Sequence, residues 1–290
     1  MAPDRRPGPT TRVRVVEWDG DRHVRHEDRL TTEEPLEVRV EQPGLPPERF
    51  GVTMRTPGHD FELAAGLLLA EGVVADLDDV GTVAYCTDET LRRDQEFNVV
   101  TVSLRVPARR PVTVRAMTAT SACGVCGTDS LESVDALRGE HPVPPPVGLT
   151  PDLLRSLPDR LRAEQRLFES TGGLHAAGLF TPDGTLRVVR EDVGRHNAVD
   201  KAIGHCLLGR TPTAGLVLCT SGRLGFEIVQ KAAVAGVSAV VAVGAPTSLA
   251  IDLARHVGML AAGFVRGSRM VVYTGHDLDP SRSDVETKTW

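Results

Sequence analysis

The sequence contains little lysine, few aromatic residues and no long apolar stretch. Lysine accounts for only three of the 33 basic residues, so the excess of arginine reflects a bias across the whole chain and says little about an anionic partner. The apolar stretch Leu63–Ala70 is far shorter than the ~20 residues that span a bilayer. The first residues lack the apolar segment of a signal peptide. We therefore expect a cytoplasmic protein that has no membrane partner.

Cysteine count and net charge exclude two further classes of protein. Five cysteines, an odd number in a chain of 290 residues, argue against a secreted disulfide framework. The net charge of −6 gives the chain no overall attraction to nucleic acid, so we expect no nucleic-acid partner. With 41% apolar and 25% charged residues, the composition is that of a globular protein, and the length allows one large or two ordinary domains.

The chain divides into segments of different composition. Short segments rich in β-branched residues dominate the first half, whereas continuous apolar strands alternate with helices after a proline-rich stretch. The second pattern predicts a sheet that is covered on both faces and at least partly parallel, so the fold class is α/β, or α+β over the whole chain. The predicted segments are a tail at 1–11, a smaller strand-rich domain at 12–118, a mobile loop and proline-rich linker at 119–149, an α/β domain at 150–276 and a polar tail at 277–290.

Helix boundaries can be predicted from capping residues. In the strand-rich domain, Asp60 is placed to cap a helix that Gly72 ends. In the α/β domain, Thr150 is placed to cap a helix that Pro158 should kink or split, and a further helix runs from about His196 to Leu208. The strands predicted in the first half lie at 12–18, 36–40, 50–55, 82–86, 97–106 and 111–116.

Three junctions in the α/β domain are unusually polar. They are R-E-D-V-G-R-H-N at 190–197, C-T-S-G-R-L-G-F-E at 219–227 and G-F-V-R-G-S-R-M at 263–270. Helix N-termini offer unpaired amides and a positive dipole, so such junctions commonly bind ligands. Each junction alone is better explained as a turn with a helix cap. All three in one domain, each with an arginine, make a site for a phosphorylated ligand as good an explanation. None matches a P-loop or a dinucleotide-binding fingerprint.

Cys123 and Cys126 form an isolated Cys-x-x-Cys pair. Structural zinc would require two further ligands at close spacing, and a zinc deaminase would show His-x-Glu and a proline where Ala122 stands. A thioredoxin-type pair would begin a helix, whereas the flanking glycines favour a loop. Two interpretations remain, namely a reactive thiol that accepts sulfur as a persulfide and an inert structural pair. The other cysteines are predicted to be buried apolar residues, namely Cys86, Cys206 and Cys219.

In their order along the chain, these motifs resemble the formate dehydrogenase accessory sulfurtransferases of the FdhD/NarQ family. Each motif alone is weak, but the order in which they occur is specific. The resemblance extends from about Trp18 to Tyr273. The matching segments are S-A-C-G-V-C-G at 121–127, T-G-G-L-H-A-A at 171–177, R-E-D-V-G-R-H-N-A-V-D-K at 190–201, T-S-G-R-L-G-F-E-I-V-Q-K-A at 220–232 and G-F-V-R-G-S-R-M-V-V-Y-T at 263–274.

The resemblance implies a sulfur carrier. Such a protein would take sulfur from a cysteine desulfurase and deliver it to the molybdenum or tungsten bis-guanine-dinucleotide cofactor of a formate dehydrogenase catalytic subunit. Cys123 would carry the persulfide, with Cys126 in support. The resemblance also implies a homodimer, no permanent metal, GDP as a partial mimic of the acceptor, and a C-terminal three-layer α/β/α domain of cytidine-deaminase-like fold.

The family's cofactor-binding segment maps to six consecutive residues, namely Phe264, Val265, Arg266, Gly267, Ser268 and Arg269. The other polar junctions add further predicted contacts to the pyrophosphates, namely Arg195, Thr220, Ser221, Gly222 and Arg223. His175 and His196 are predicted either to donate protons or hydrogen bonds near the metal's sulfur or to be structural. Asp192 and Asn197 are predicted either to read a guanine edge or to cap a helix.

Two other functions remain open at this point. A guanine-nucleotide or cofactor-binding chaperone would use the same site without sulfur transfer. A divergent zinc hydrolase would require metal ligands that the sequence does not supply in the deaminase pattern.

Overall fold

The computed structural model describes most of the chain. In the described residues the chain forms a two-stranded, a four-stranded and a six-stranded sheet. Within the same residues, no helix is long and apolar enough to cross a membrane. The described residues are 8–86, 97–112, 131–138, 143–145 and 147–275.

A β-hairpin precedes the rest of the fold. Its strands are β1 (Thr10–Asp19) and β2 (Arg22–Thr31), which pair antiparallel along their whole length. The base of the hairpin is attached to the body by a hydrogen bond of 3.1 Å from the Thr31 hydroxyl to that of Thr171. The sequence predicted β1 but not β2, because almost every β2 side chain is exposed and the strand lacks alternating apolar residues.

The four-stranded sheet has the strand order β4-β3-β6-β5. Its strands are β3 (Glu34–Glu41), β4 (Glu48–Arg55), β5 (Val80–Tyr85) and β6 (Val99–Leu104), with a 3₁₀ turn at Leu77–Asp79. β3 and β6 are parallel, and the other pairs are antiparallel. These strands confirm the predictions at 36–40, 50–55 and 82–86 and the core of 97–106. The strand predicted at 111–116 falls mostly outside the described residues.

Helix α1 (Asp60–Ala70) covers this sheet and corrects the predicted role of Asp60. The N-cap is His59 in a left-handed conformation, and it makes no side-chain cap. The Asp60 carboxylate instead accepts hydrogen bonds from Arg55 Nε and Nη2, at 3.1 and 3.2 Å, and from the Tyr85 hydroxyl at 2.8 Å. Arg55 is fully buried, and a buried guanidinium needs an anionic partner. Asp60 therefore pairs with the buried Arg55 guanidinium and does not cap the helix.

A helix interrupts the segment predicted as loop and linker at 119–149. Helix α2 (Leu131–Arg138) buries Val134 in the main hydrophobic cluster. The prediction of a loop is wrong for these residues, because burial of the apolar side chains on one face stabilises a helix here. The proline-rich linker itself was predicted after this helix. The predicted mobile segment at 119–130 lies outside the described residues.

The six-stranded sheet has the strand order β12-β11-β10-β9-β7-β8. Its strands are β7 (His175–Phe180), β8 (Leu186–Asp192), β9 (Val217–Thr220), β10 (Ala239–Ala242), β11 (Leu260–Arg266) and β12 (Arg269–Thr274). β9, β10 and β11 are parallel, whereas β7 runs antiparallel to both β8 and β9, and β12 antiparallel to β11. The predicted, partly parallel sheet is confirmed.

Helices cover both faces of this sheet. They are α3 (Pro151–Ala163), α5 (Arg195–Leu208), α6 (Phe226–Val234) and α7 (Ser248–His256), whereas the short α4 (Arg166–Thr171) contacts β2 of the hairpin. The buried leucines of α3 pack against one face with side chains such as Phe180 and Cys219, whereas α5 and α6 pack against the other with Leu179 and Leu218. This supports a mixed α/β fold, and the cytidine-deaminase-like assignment stays a prediction.

Helix α3 begins as predicted but does not break at its proline. The Thr150 hydroxyl accepts a hydrogen bond of 3.2 Å from the Leu153 amide, which confirms the cap. Pro158 is buried inside the helix, which continues to Ala163. The predicted split is wrong, because burial of Leu157 and Leu161 on either side of the proline offsets the one lost backbone hydrogen bond.

The two halves of the chain meet where α1 crosses α5. A Cβ atom at Gly66 would lie 2.0 Å from the Asp200 carbonyl oxygen, and one at Gly204 would lie 1.9 Å from the Glu62 carbonyl oxygen. The two helix backbones are therefore in direct contact, which only glycine permits. One hydrophobic cluster consequently runs from the four-stranded sheet through both helices to the six-stranded sheet.

Gly66→Ala should lower the free energy of unfolding by about 1–3 kcal/mol or more, because the new methyl group must separate the two helices. Helix propensity alone predicts the opposite sign, a gain of about 1 kcal/mol, so the direction of the change is diagnostic. Urea denaturation followed by circular dichroism measures it. Gly225→Ala is the steric control, since no atom lies within 4 Å of a Cβ built there, and as the N-cap of α6 it should lose at most about 1 kcal/mol. A Gly66→Ala protein as stable as the wild type would contradict the backbone contact.

Candidate functional site

The polar junctions lie at one edge of the six-stranded sheet. Strands β8, β9, β10 and β11 run in the same direction, so their carboxyl ends meet at this edge together with the amino ends of β7 and β12. The turn at 192–195 follows β8, the loop at 221–225 follows β9, and the turn at 267–268 joins β11 to β12. His175 begins β7 at the same edge. The fold thus brings together the three junctions predicted from the sequence.

Close backbone contacts hold these junctions in place. A Cβ atom at Gly222 would lie 3.4 Å from His175 Nδ1 and 3.7 Å from Arg195 Cβ, so the loop after β9 approaches both side chains. The Gly244 amide donates to the Gly222 carbonyl at 3.0 Å, and the Phe264 amide donates to the Gly244 carbonyl at 3.1 Å. A continuous series of contacts therefore runs from the first junction to the third.

Sequence reasoning missed the loop at 243–247, which supplies the central contact. Leu224 donates to the carbonyl of Ala245, and Thr247 donates to the carbonyl of Leu224, both at 3.0 Å. These hydrogen bonds pair the loop after β10 with the loop after β9. The signal was a glycine and a proline directly after a buried strand, a combination that marks a turn at the ligand-binding edge of an α/β sheet.

Two arginines give the site its positive charge. Burial lowers the pKa of Arg195, and the guanidinium of Arg223 lowers it further. Within the described part of the chain, the Nε atom of Arg195 is buried and has no hydrogen-bond partner. Two like charges and a buried donor without an acceptor are an unfavourable arrangement for an isolated protein, and an anion would relieve both. The geometry is therefore suited to an anionic ligand.

Both histidines of the site are held neutral. Burial lowers the pKa of His175, and so does the charge of Arg195, while Asp192 opposes the shift. For His196, burial lowers the pKa to about 3, with further contributions from Lys231 and Arg195. The histidines therefore contribute hydrogen bonds to the site and no positive charge.

His196 contacts a carboxylate that sequence reasoning missed. Its Nε2 atom lies 3.0 Å from Glu227 Oε2. Such a contact favours a charged imidazole, but desolvation and the nearby cations dominate, so we take the contact as a neutral N–H donating to the carboxylate. Behind it, Lys231 Nζ donates to both oxygens of Asp200, at 2.7 and 2.9 Å. This buried pair supplies the lysine charge that His196 experiences.

Asp192 and Asn197 belong to a closed polar network. The fully buried Asp192 carboxylate accepts from the Gly194 amide at 2.8 Å and from Asn197 Nδ2 at 3.1 Å. Its other oxygen lies 2.6 Å from Lys201 Nζ, and Lys201 is only 1% exposed. The predicted helix cap is wrong, because the N-cap of α5 is Gly194 and no side chain caps it. The two side chains hold the turn together instead, and their predicted contact to a guanine edge stays a prediction.

The loop after β9 uses its side chains to hold its own shape. Thr220 is buried, and its hydroxyl accepts from the Gly222 amide at 3.3 Å. The Ser221 hydroxyl accepts from the Ala176 amide at 2.9 Å, which extends the pairing of β9 with β7. In this loop, Gly222 and Arg223 are therefore the predicted residues that are available to a ligand. Gly222 would let the backbone come close to it, and Arg223 would supply a positive charge.

The β11–β12 hairpin carries the last predicted segment. Phe264 has a left-handed backbone with φ 53° and is 37% exposed, and the pairing is irregular between Gly263 and Arg266. A bulky residue in that conformation is strained, and a bulge of this kind re-aims side chains. Arg269 lies over the Phe264 ring, with its guanidinium carbon 5.4 Å from the centroid. Four residues are exposed at the turn, namely Arg266, Gly267, Ser268 and Arg269.

The other predicted residues do not join this set. Val265 is fully buried against α3, so its side chain belongs to the core. Cys206 and Cys219 are buried as predicted, and burial raises the pKa of Cys206 to about 11. Cys86 is half-buried, unlike the prediction. Cys123 and Cys126 lie outside the described residues.

The fold and the site define a mixed α/β protein with a cradle of two arginines, Arg195 and Arg223, at the edge of its six-stranded sheet. A sequence model of the FdhD/NarQ family matches residues 31–278. The chain therefore belongs to the FdhD/NarQ family, which confirms the resemblance found in its motifs.

Several relatives are similar over most of their length. The chain is 50% identical to the sulfur carrier protein FdhD of Streptomyces coelicolor over 89% of this chain and 91% of that protein. It is 46% identical to that of Mycobacterium tuberculosis, over 92% and 98%, and 42% identical to that of Sulfurisphaera tokodaii, over 91% and 96%. A crystal structure of a proposed formate dehydrogenase accessory protein from Desulfotalea psychrophila has a similar fold, with a TM-score of 0.70 at 22% identity over 93% of this chain and 98% of that one.

The lowered pKa of His196 predicts a pH-dependent stability. Below pH ~6.5 the unfolded chain binds a proton at this residue that the native protein does not, so stability falls as the pH drops from 6.5 towards 3 and is unaffected above that range. In denaturation experiments from pH 7 to 4.5, the wild type should lose about 2 kcal/mol relative to His196→Gln. A difference between the two proteins that does not change with pH would contradict a neutral His196.

Proposed function

We propose that this protein is a sulfur carrier that accepts sulfur as a persulfide on Cys123 and delivers it to a molybdenum or tungsten cofactor with guanine dinucleotide tails. The observation that carries the proposal is the cradle of Arg195 and Arg223, in which a buried guanidinium nitrogen has no acceptor among the described residues. Relatives at up to 50% identity are sulfur carrier proteins, which supports the same role here.

The acceptor's chemistry fits the residues of the cradle. A pyrophosphate offers several anionic oxygens, which guanidinium groups bind through short, charge-assisted hydrogen bonds. Gly222 lies close to Arg195 and has no side chain, so the space beside this charge stays open to a ligand. Neutral His175 and His196 add donors without increasing the repulsion between the arginines. Arg269 lies over the Phe264 ring, and the exposed part of that ring supplies a surface on which a flat base stacks beside the arginine.

Sulfur transfer requires two exchange steps. The Cys123 thiolate attacks the outer sulfur of a persulfide on a cysteine desulfurase, so the donor's S–S bond breaks, a new S–S bond forms on Cys123, and the donor leaves as a thiolate. On delivery, the outer sulfur passes to the acceptor and Cys123 is released as a thiolate. The acceptor supplies the two electrons that convert this sulfur to sulfide. Cys126 supports the first cysteine within the same motif.

The proposed carrier acts between two partner proteins in the cytoplasm. The acceptor protein is a formate dehydrogenase catalytic subunit, the donor is a cysteine desulfurase, and the carrier acts as a cytoplasmic homodimer without a permanent metal of its own. GDP is a partial mimic of the acceptor, because it shares the guanine and a diphosphate. The alternative is a cofactor-binding chaperone that uses the same cradle without sulfur transfer.

Sulfur loading tests the role of the cysteine pair. After incubation with a cysteine desulfurase and cysteine, the intact mass of the protein should rise by one sulfur that a reductant removes. Cys123→Ala should abolish the added mass, whereas Cys86→Ala, at a half-buried cysteine in the four-stranded sheet region, should not. A wild-type protein that binds GDP but takes up no sulfur would favour the chaperone.

Binding of GDP tests the cradle separately. Arg195→Gln should weaken the affinity roughly 10- to 100-fold, because it removes a charge-assisted contact of about 1.5–3 kcal/mol. Arg255→Gln is the matched control, since this exposed arginine pairs with Asp252 at the end of α7, away from the strand edge that carries the site. Titration calorimetry measures both variants. Equal affinities for the two would remove Arg195 from the site.

A further inference from the structure

We infer that Thr53–Thr56, the end of β4 together with the residue that follows it, positions the turn that carries Arg195, and that Thr53, Thr56 and Lys201 are positioning residues of the anion site. The inference deepens the proposed function and rests on it for the identity of the ligand. Thr53 and Thr56 lie in the strand-rich half of the chain, and Lys201 lies within α5. None of the three was predicted from the sequence to contact the ligand.

Five hydrogen bonds in the described structure join the end of β4 to the turn between β8 and α5. Two involve Asn197, whose Oδ1 accepts from the Thr53 hydroxyl at 3.1 Å and whose Nδ2 donates to the Met54 carbonyl at 2.7 Å. The other three involve the atoms of Thr56. Its amide donates to Asp192 Oδ2 at 3.1 Å, its hydroxyl accepts from the Val193 amide at 3.1 Å, and its carbonyl accepts from Lys201 Nζ at 2.8 Å.

Because these contacts are buried, they fix the position of the turn relative to the end of β4. Asp192, Lys201 and Thr56 are at most 1% exposed, and Thr53 is 6% exposed. Water cannot replace a lost partner in such surroundings, so a shifted turn would leave charged or polar atoms unsatisfied. The end of β4 therefore acts as a template for the turn.

The turn is too short to absorb a shift before it reaches Arg195. Strand β8 ends at Asp192 and α5 begins at Arg195, so only Val193 and Gly194 separate them. Asp192 on one side and Asn197 on the other are both bonded to β4. The strand-rich half of the molecule therefore sets the position of the backbone from which the Arg195 side chain, with its unpartnered Nε atom in the described structure, extends.

A pair of isosteric substitutions separates positioning from general stability. Thr53→Val removes the hydroxyl that donates to Asn197, and Thr274→Val removes one that donates to the Met259 carbonyl at the opposite edge of the sheet. Both threonines are 6% exposed, so the two variants should lose similar thermal stability. Thr53→Ser keeps the hydroxyl and serves as the rescue variant.

The expected result is specific to Thr53→Val. Its affinity for GDP should fall roughly three- to tenfold, and amide hydrogen exchange at residues 193–197 should accelerate several-fold. Thr274→Val should change neither quantity, and Thr53→Ser should restore both towards the wild type. Unchanged affinity and exchange in Thr53→Val, at a loss of stability equal to that of Thr274→Val, would overturn the inference.

The exchange measurement keeps this test independent of the proposed function. If the wild-type protein does not bind GDP, the proposed ligand is wrong, and the exchange rates at 193–197 alone decide whether β4 positions the turn. Should Thr53→Val fail to fold, Thr56→Ser against Thr56→Val makes the same comparison at the hydroxyl that accepts from Val193.

Discussion

A buried ion pair between Lys201 and Asp192 is the interaction on which the rest of the structure depends. Two charges removed from water cost several kcal/mol each unless their geometry is good and their remaining atoms are paired. Here the ammonium also donates to the carbonyl of Thr56, and the carboxylate also accepts from the amides of Thr56 and Gly194. Both charges belong to the second half of the chain, whereas the amide and carbonyl of Thr56 belong to the first. A shift of one half against the other would therefore take a hydrogen bond from each buried charge.

The cradle beside this pair carries the positive charges of Arg195 and Arg223, and the nearby Glu227 carboxylate opposes them only in part. Burial and the charge of Arg223 lower the pKa of Arg195, and burial lowers the pKa of His175 and His196 and keeps both neutral. Such a site is costly on its own and becomes favourable when an anion enters, because the ligand supplies the missing acceptors. The polar network behind it holds the donors in place, so little reorganisation is needed on binding.

The convergence of the junctions was predictable because a rule of sheet geometry links sequence order to space. Carboxyl ends of parallel strands share an edge, so polar residues after β9 and β11 had to lie near one another. The roles of single residues were less predictable. Asp60 lies at the start of α1, where the sequence predicts a helix cap, yet its carboxylate pairs with the buried guanidinium of Arg55 instead. Strand β2 has so many charged side chains that its sequence lacks the alternating apolar pattern of a strand. Its strand conformation depends on pairing with β1.

The sequence by itself determined the family, the partly parallel sheet and the glycine-rich turns, since each of these is encoded by residues that are close together in the chain. Tertiary structure alone decided what Asp192 and Asn197 do. Their partners at the end of β4 stand more than 130 residues earlier, as for Thr56 and Asp192, which are 136 residues apart. No local pattern reveals such a contact, because it exists only after the crossing of α1 and α5 brings the two sheets together.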